Sequence, residues 1–407
     1  MNEISIKYKK VKSYILNITC LLSFLKQSNY KFQKVFSGKI SEQITLQVTL
    51  LKGLTKNHRI PLVCAYVGDN QKKLEHWKNL LFSVVNDYAV ESLCANDVKR
   101  FLRKQYPDLS LILFEQLEHV KKNYSKTNSF SIPGFIETVI DIDVSMKNLC
   151  HKSRSGYGNI QRLISTHKLS FNWSESDTDK KDFYFNMYLP YIKERHKDES
   201  LIVSYEDVFG GKFPRKLMLI KKANHIVAGG VANFVPSHIS LAFWGVRDGH
   251  FDAVKQGVLG AIYYFLIEEI RKEGIDRLFI GGTPPIISNG ITRHKIGILA
   301  RIDKENPYKH ADLVSCVLLK DTEGIRDFLA SSPYVYVAKN GDLTGAVWVQ
   351  PNKYSCITDF EKEINLVFRF GVDKCNIYEW GKNTVPEAWY QRFKDNKIIA
   401  YMAEKSF

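Results

Sequence analysis

Apolar positions recur along this chain at two periods, and the switches between them mark its elements. Thr45–Leu51 and Ile60–Val67 alternate or run apolar, as strands do. Leu74–Val85, Ala95–Arg103 and Phe114–Lys122 carry helical spacing. A polar, turn-rich joint follows at Tyr124–Pro133. Beyond it the pattern predicts a strand over Thr138–Ile142 and a basic helical stretch over Ser145–His167, interrupted at Gly156 and Gly158. A strand is predicted at Leu169–Trp173, then a helical stretch over Asp182–Lys197, kinked or broken at Pro190. Arg215–Lys221 and His225–Asn233 read as a hairpin through Lys222-Ala223-Asn224. Ile239–Val246 is a further strand, turned by Arg247-Asp248-Gly249. The small-residue run Lys255–Ala261 opens a helix reaching Lys272, which Gly274 stops, and Arg277–Gly281 returns as a strand. The last hundred residues read as strands at Leu313–Leu319, Tyr334–Ala338, Gly345–Gln350 and Ile398–Met402. Helices are predicted there at Thr322–Ala330, Thr358–Arg369 and Val385–Lys394.

This alternation describes a mixed α/β chain in three regions: a basic N-terminal α/β region (1–134), a central domain (135–305) and a small C-terminal α/β module (306–407). Its most suggestive feature is the glycine-led helix. Free N–H groups and the positive end of a helix dipole meet near Gln256, Gly257 and Gly260, where a pyrophosphate or carboxylate would bind. The competing reading is structural, with glycines chosen so that the helix packs closely.

Composition narrows the partners. The net charge is +15, and residues 1–60 hold ten lysines and Arg59 against Glu3 and Glu42. Such an arm suits a polyanion: nucleic acid such as tRNA, an anionic membrane face, or a phosphorylated substrate. The seven cysteines form no C-x-x-C pair and suit buried thiols in a reducing cytoplasm. The apolar run Tyr14–Leu25 is short and interrupted by Asn17, Thr19 and Ser23, which fits an amphipathic helix on the core or on a membrane surface. No paired metal-ligand spacing, nucleophile elbow or Walker motif is present, so no metal is expected.

Three stretches carry a family resemblance. They are the basic segment Ser145–Arg162 with the strand and acidic segment after it, the strand Val227-Ala228-Gly229-Gly230-Val231, and the helix from Gln256 followed by Asp276–Gly282 and Gly290–Gly297. Together, over about 135–305, they resemble the GNAT superfamily of acyltransferases, and within it the FemAB-like and BioF2-like branches. The resemblance implies a GNAT-like mixed twisted sheet flanked by helices. It implies an N- or O-acyltransferase, moving an acetyl or longer acyl group from acetyl-CoA or another acyl-CoA to an amine or hydroxyl of a small-molecule or cell-envelope precursor acceptor. GNAT enzymes open the pyrophosphate helix with Q/R-x-x-G-x-G/A. With Gly260 as the central glycine, Gly257 stands first and Ile262 last. FemAB-like relatives that use aminoacyl-tRNA often lack the motif, so that donor stays open, as does a non-catalytic polyanion-binding protein. The implied setting is cytoplasmic, with the basic arm a contact for the inner membrane face.

On this reading the donor lies along Trp244, Gly245 and Val246, with its pyrophosphate on Gln256, Gly257 and Gly260. Glu194, His196 and Asp248 are the candidate bases. Tyr188 is a candidate acid, and Tyr184 lines the acceptor pocket. Lys147, Lys152, Arg154 and Arg162 form a groove for an acidic substrate. Lys295, at the family-like position, meets a phosphate or carboxylate.

Overall fold

A computed structural model describes residues 45–94, 98–115, 129–142, 156–196, 202–210, 213–235, 238–305, 313–338, 340–350, 353–380, 386, 388–389 and 398–402. The basic arm before residue 45, with the stretch Tyr14–Leu25, lies outside these residues, as do Lys147, Lys152 and Arg154. The chain divides into two compact units. One comprises 1–132, 313–331 and 403–407, and the other 133–312 and 332–402.

In the first unit a mixed sheet runs Ser129–Pro133, Leu313–Leu318, Leu111–Glu115, Pro61–Val67, Thr45–Thr55, Phe82–Cys94. Residues 313–318 pair antiparallel with 111–115, so this part of the expected C-terminal module builds the N-terminal sheet instead. The helix expected over 74–85 is Gln71–Leu81, capped by the Asn70 side chain, and the chain turns to strand at Phe82. The β-branched pair Val84-Val85 favours that change, and the strand pairs with Leu54 and Gly53. Phe114 and Glu115 belong to a strand, and residues 116–122 of the helix expected over 114–122 lie outside the described residues.

The second unit contains the central domain. In chain order its elements are β1 (Ile136–Asp141), α1 (Tyr157–His167), β2 (Leu169–Ser174), α2 (177–196), α3 (Tyr205–Phe209), β3 (Arg215–Lys222), β4 (His225–Val235) and β5 (His238–Val246). There follow α4 (Phe251–Lys255), α5 (Val258–Lys272), β6 (Arg277–Thr283), α6 (Gly290–Gly297) and β7 (Arg301–Ile302). Strands β8 (Tyr334–Val337), β9 (Leu343–Val349), β10 (Cys375–Glu379) and β11 (Ile398–Met402), with helix α7 (Ile357–Arg369), complete it. The main sheet has seven strands in the order β7-β1-β6-β5-β4-β3-β2. Strands β2 to β5 form an antiparallel meander. The chain then crosses through α4 and α5 and returns as β6, parallel to β5. This is a mixed α/β fold with a twisted sheet flanked by helices.

Strand alternation splits the core between two faces. Met218 and Ile220 pack with Ala228, Ile239, Leu241, α1 and α5. Leu217, Leu219 and Val231 pack with α2 and α3. Two glycines of β4 allow both layers to close. A Cβ on Gly229 would lie 2.7 Å from the Phe183 ring, and one on Gly230 would lie 2.8 Å from Ile262. The β3–β4 hairpin turns at Ala223-Asn224, with Ala223 in the left-handed region.

Helix α2 is not broken at Pro190. Asp177–Phe183 continues into a π-turn, Tyr184–Tyr188, and then Leu189–His196. The wide turn ends two residues before Pro190. The ring, which in a regular helix would meet the carbonyl four residues back, meets a loosened turn instead. Among the described residues no helix is long and apolar enough to cross a membrane.

Candidate functional site at the splayed strands

Strands β5 and β6 are in register only at Ile239–Leu278 and Ser240–Phe279. Beyond those pairs β5 runs on to Val246 and β6 to Thr283 with no ladder between them. Each strand is pulled toward its outer neighbour by an irregularity. Strand β5 slips against β4 between Leu241 and Phe243, and β6 slips against β1 between Phe279 and Gly282, with Gly281 at φ 72°. The gap opens at the carboxyl ends of two parallel strands, where α/β sheets bind ligands.

Four elements bring side chains to this gap. Trp244 of β5 packs against the core cluster that holds Tyr191 of α2. Its ring centroid is 6.5 Å from Tyr263 of α5, which lies 6.0 Å from His294 of α6. Burial pushes the Tyr263 phenol far above its ordinary pKa, with Tyr191 adding to the shift, so it stays neutral. His294 is reached by solvent, yet enough protein surrounds it to disfavour its charge. Both hold for a side chain on the wall of a gap. Desolvation first, then Lys295 and Arg195, hold its pKa below the ordinary histidine value.

Lys295 is 3 % exposed. Its Nζ donates toward the carbonyls of Ile280 (2.8 Å), Gly281 (2.7 Å) and Gly282 (2.9 Å) and the Thr138 hydroxyl (3.1 Å). Those carbonyls belong to the irregular turn of β6. The side chain expected to meet a ligand's phosphate or carboxylate is here an internal staple between α6, β6 and β1. Burial draws its pKa down to about 7, opposed by Glu137.

The other expected residues are scattered. Trp244 faces the gap, whereas Gly245 serves the opposite layer. A Cβ there would lie 2.5 Å from Met187 C and Tyr188 N, so the glycine admits the π-turn of α2. Val246 is fully buried. Tyr184 and Tyr188 belong to an aromatic layer on the α2 face. Tyr184 donates to the Val203 carbonyl (2.9 Å), and Tyr188 accepts from the Val203 N–H (3.3 Å). Burial raises both phenols. Glu194 is exposed on α2, beside Gly249. His196 closes the same helix, and its side chain lies outside the described residues. Asp248, in the left-handed region at φ 53°, has a carboxylate 4.0 Å from His250. Arg162 bonds Asn159.

The phosphate cradle is narrower than its glycines suggest. Gln256 N–H and Gly257 N–H close the end of α4 on Asp252 and Val254, and the Gln256 side chain accepts from Lys222 (2.9 Å). Gly257 caps α5 at φ 88°, and the first turn of α5 has no side-chain cap. A Cβ on Gly257 would lie 2.9 Å from Leu163, and one on Gly260 2.7 Å from Ile160. Close packing of α1 accounts for Gly260, and for Gly257 together with its left-handed φ.

Tyr191, Arg195, Tyr263 and His294 escaped the sequence reading. Tyr191 and Arg195 are four residues apart on α2, and that spacing was the one local signal that they share a face. Among the described residues no three His, Cys, Asp or Glu side chains converge as a metal site.

No protein-family model matches the chain, and no curated protein does. Solved structures resemble it weakly. FemX matches at 13% identity and TM-score 0.33, over 72% of this chain and 89% of FemX. L-PGS from Bacillus licheniformis matches at 10% and 0.29, over 67% and 85%. A GCN5-related N-acetyltransferase from Kribbella flavida matches at 10% and 0.24, over 64% and 82%.

Proposed function

We propose that the chain is an acyltransferase that moves an acyl group from a coenzyme A-type thioester to an amine or hydroxyl by direct attack. The splay of β5 and β6 carries this reading, because it leaves strand backbone unpaired where a thioester carbonyl could lie and be polarised by an N–H. The acceptor nitrogen or oxygen forms a bond to the carbonyl carbon, and the carbon–sulfur bond breaks. The acceptor's proton passes to the neutral imidazole of His294, directly or through water, and the departing thiolate takes up a proton. His294 replaces Glu194, His196 and Asp248 as the preferred base, because it stands at the gap and Lys295 and Arg195 oppose its protonation. The donor's phosphates would lie at the uncapped first turn of α5, beside Lys222.

The test is thermal stability with acetyl-CoA, a long-chain acyl-CoA and charged tRNA, since a ligand selective for the folded state raises it. The acyl-CoAs should raise the melting temperature. Gln256→Glu, nearly isosteric and able to pair with Lys222, should abolish that rise by setting a carboxylate against the phosphates. A response to charged tRNA alone would replace the thioester with an aminoacyl donor. Silence with all three would end the enzyme reading.

A further inference from the structure

Glu137 of β1 is in register with Gly282 of β6, on the part of β6 that has left β5. A Cβ on Gly282 would lie 3.6 Å from Glu137 Oε1, 3.1 Å from Phe135 Cβ and 3.6 Å from Phe135 Cγ. A carboxylate and an aromatic side chain therefore flank one bare point of backbone at the gap. Phe135 is 54 % exposed, and Glu137 is half-buried. Strand alternation puts both on the face opposite α5. Thr138 and Ile140 turn the other way, Thr138 to Lys295 and Ile140 into the core beneath α5. Other acids beside β1 and β6 are occupied. Arg301 holds Asp141 (2.6 Å), and Arg277 holds Asp303 and Glu305 (2.8 Å each). The Glu137 side chain makes no hydrogen bond or ion pair among the described residues. Lys295 lies behind the sheet, bonded to Thr138 and three carbonyls, and acts on Glu137 only through its field.

A carboxylate beside an exposed ring suits an ammonium group, which the carboxylate pairs and the ring face attracts. An anionic or neutral ligand would desolvate the Glu137 charge with nothing in return. With the donor's phosphates at α5, the opposite face of the gap is left to the acceptor. We propose that Phe135 and Glu137 seat a cation of the acceptor, an alkylammonium compound whose positive charge lies about 5 Å, one strand spacing, from its reacting amine or hydroxyl in the gap. The proposal rests on the acyl-transfer reading for the ligand's role as acceptor. The cation seat itself is testable without any donor.

The test uses the full chain carrying 4-fluorophenylalanine, with butylammonium chloride as the probe. Butanol serves as its uncharged counterpart, and sodium chloride holds the ionic strength constant. The fluorine signal of Phe135 is assigned through Phe135→Leu. Butylammonium should move that signal saturably, and butanol should not. In Glu137→Gln, losing a charge-assisted hydrogen bond should weaken the response about ten-fold, with the melting temperature nearly unchanged because no bonded partner is lost. No movement in the parent, equal movement by butanol, or undiminished movement in Glu137→Gln overturns the seat. A second arm follows thiol release from acetyl-CoA with butane-1,4-diamine as acceptor. Glu137→Gln should raise the KM for the diamine about ten-fold without a matching fall in kcat. An equal KM in both proteins overturns the acceptor assignment. No release in the parent ends the acyl-transfer reading and the acceptor role with it, while the fluorine signal still decides whether the cation seat exists.

Discussion

Lys295 allows the packing around the gap to be tested by pH alone. Burial lowers its pKa from 10.5 to about 7 in the folded protein, and the unfolded chain keeps the ordinary value. Between those limits the unfolded state binds a proton that the folded state has released, so stability must rise with pH there and stay flat below. The lysine is half deprotonated at pH 7, so the gain from pH 7 to pH 9 is about 2 kcal/mol. Lys295→Met removes the charge and should flatten this window. It also strips a donor from the carbonyls of Ile280 and Gly282, while Gly281 keeps the Thr138 hydroxyl at 2.6 Å. One buried and one half-buried acceptor left unsatisfied cost about 2–4 kcal/mol. The variant should therefore be clearly less stable than the parent at pH 9. At pH 6, where the parent carries a desolvated ammonium, the difference should nearly vanish. Urea unfolding of both proteins at pH 6, 7, 8 and 9 measures this. Parallel profiles would refute the reasoning, because they would mean that the four oxygens hold the ammonium charged throughout.

Three further predictions follow from named contacts. Gly245→Ala places a methyl 2.5 Å from the backbone of Met187 and Tyr188 and should cost about 2–3 kcal/mol, whereas Gly274→Ala, with φ 71° and open space, should cost nearer 1 kcal/mol; melting temperatures decide. Asp182 is held below the ordinary carboxylate range by the Arg247 guanidinium at 2.6 Å, so its contribution is present above that range and lost as pH falls through the folded value; Asp182→Asn should remove about 1–3 kcal/mol at pH 7 and flatten the acid limb of stability. His294→Gln should leave the melting temperature nearly unchanged but slow acyl transfer about 10²–10⁴-fold and abolish the rise of rate with pH below neutrality; an unchanged rate assigns the proton elsewhere.

What the sequence made legible follows local rules. The β3–β4 hairpin, the β5 strand, α5 and its stop at Gly274 depend on periodicity and turn residues within one window. The misreadings depend on distant partners. Nothing near Lys295 says that three carbonyls thirteen to fifteen residues upstream converge on its ammonium. Nothing near Tyr184 or Tyr188 says that one peptide group, at Val203, occupies both hydroxyls. Residues 313–318 form a strand as their pattern predicts, but the choice of 111–115 as partner is tertiary.

The glycines show why a motif and a site can separate. Gly257 and Gly260 suggest a phosphate cradle, yet each has a neighbour that would strike a Cβ, and that neighbour is α1. Gly245 looked like part of a donor strand, and it admits the backbone of α2. Gly281 differs: it has no neighbour within 4 Å, and its φ of 72° lets β6 turn away from β5. Lys295 then gathers the carbonyls of that turn through its buried amine from the following helix. A glycine needed for close packing and a glycine needed for backbone geometry read alike in sequence. Gly257, at the start of α5, answers to both needs, and the backbone glycine that shapes the gap is Gly281 on β6. A substitution that spares packing but forbids the left-handed region at Gly281 should therefore perturb the gap more than one at Gly260, which should act first on the contact with Ile160.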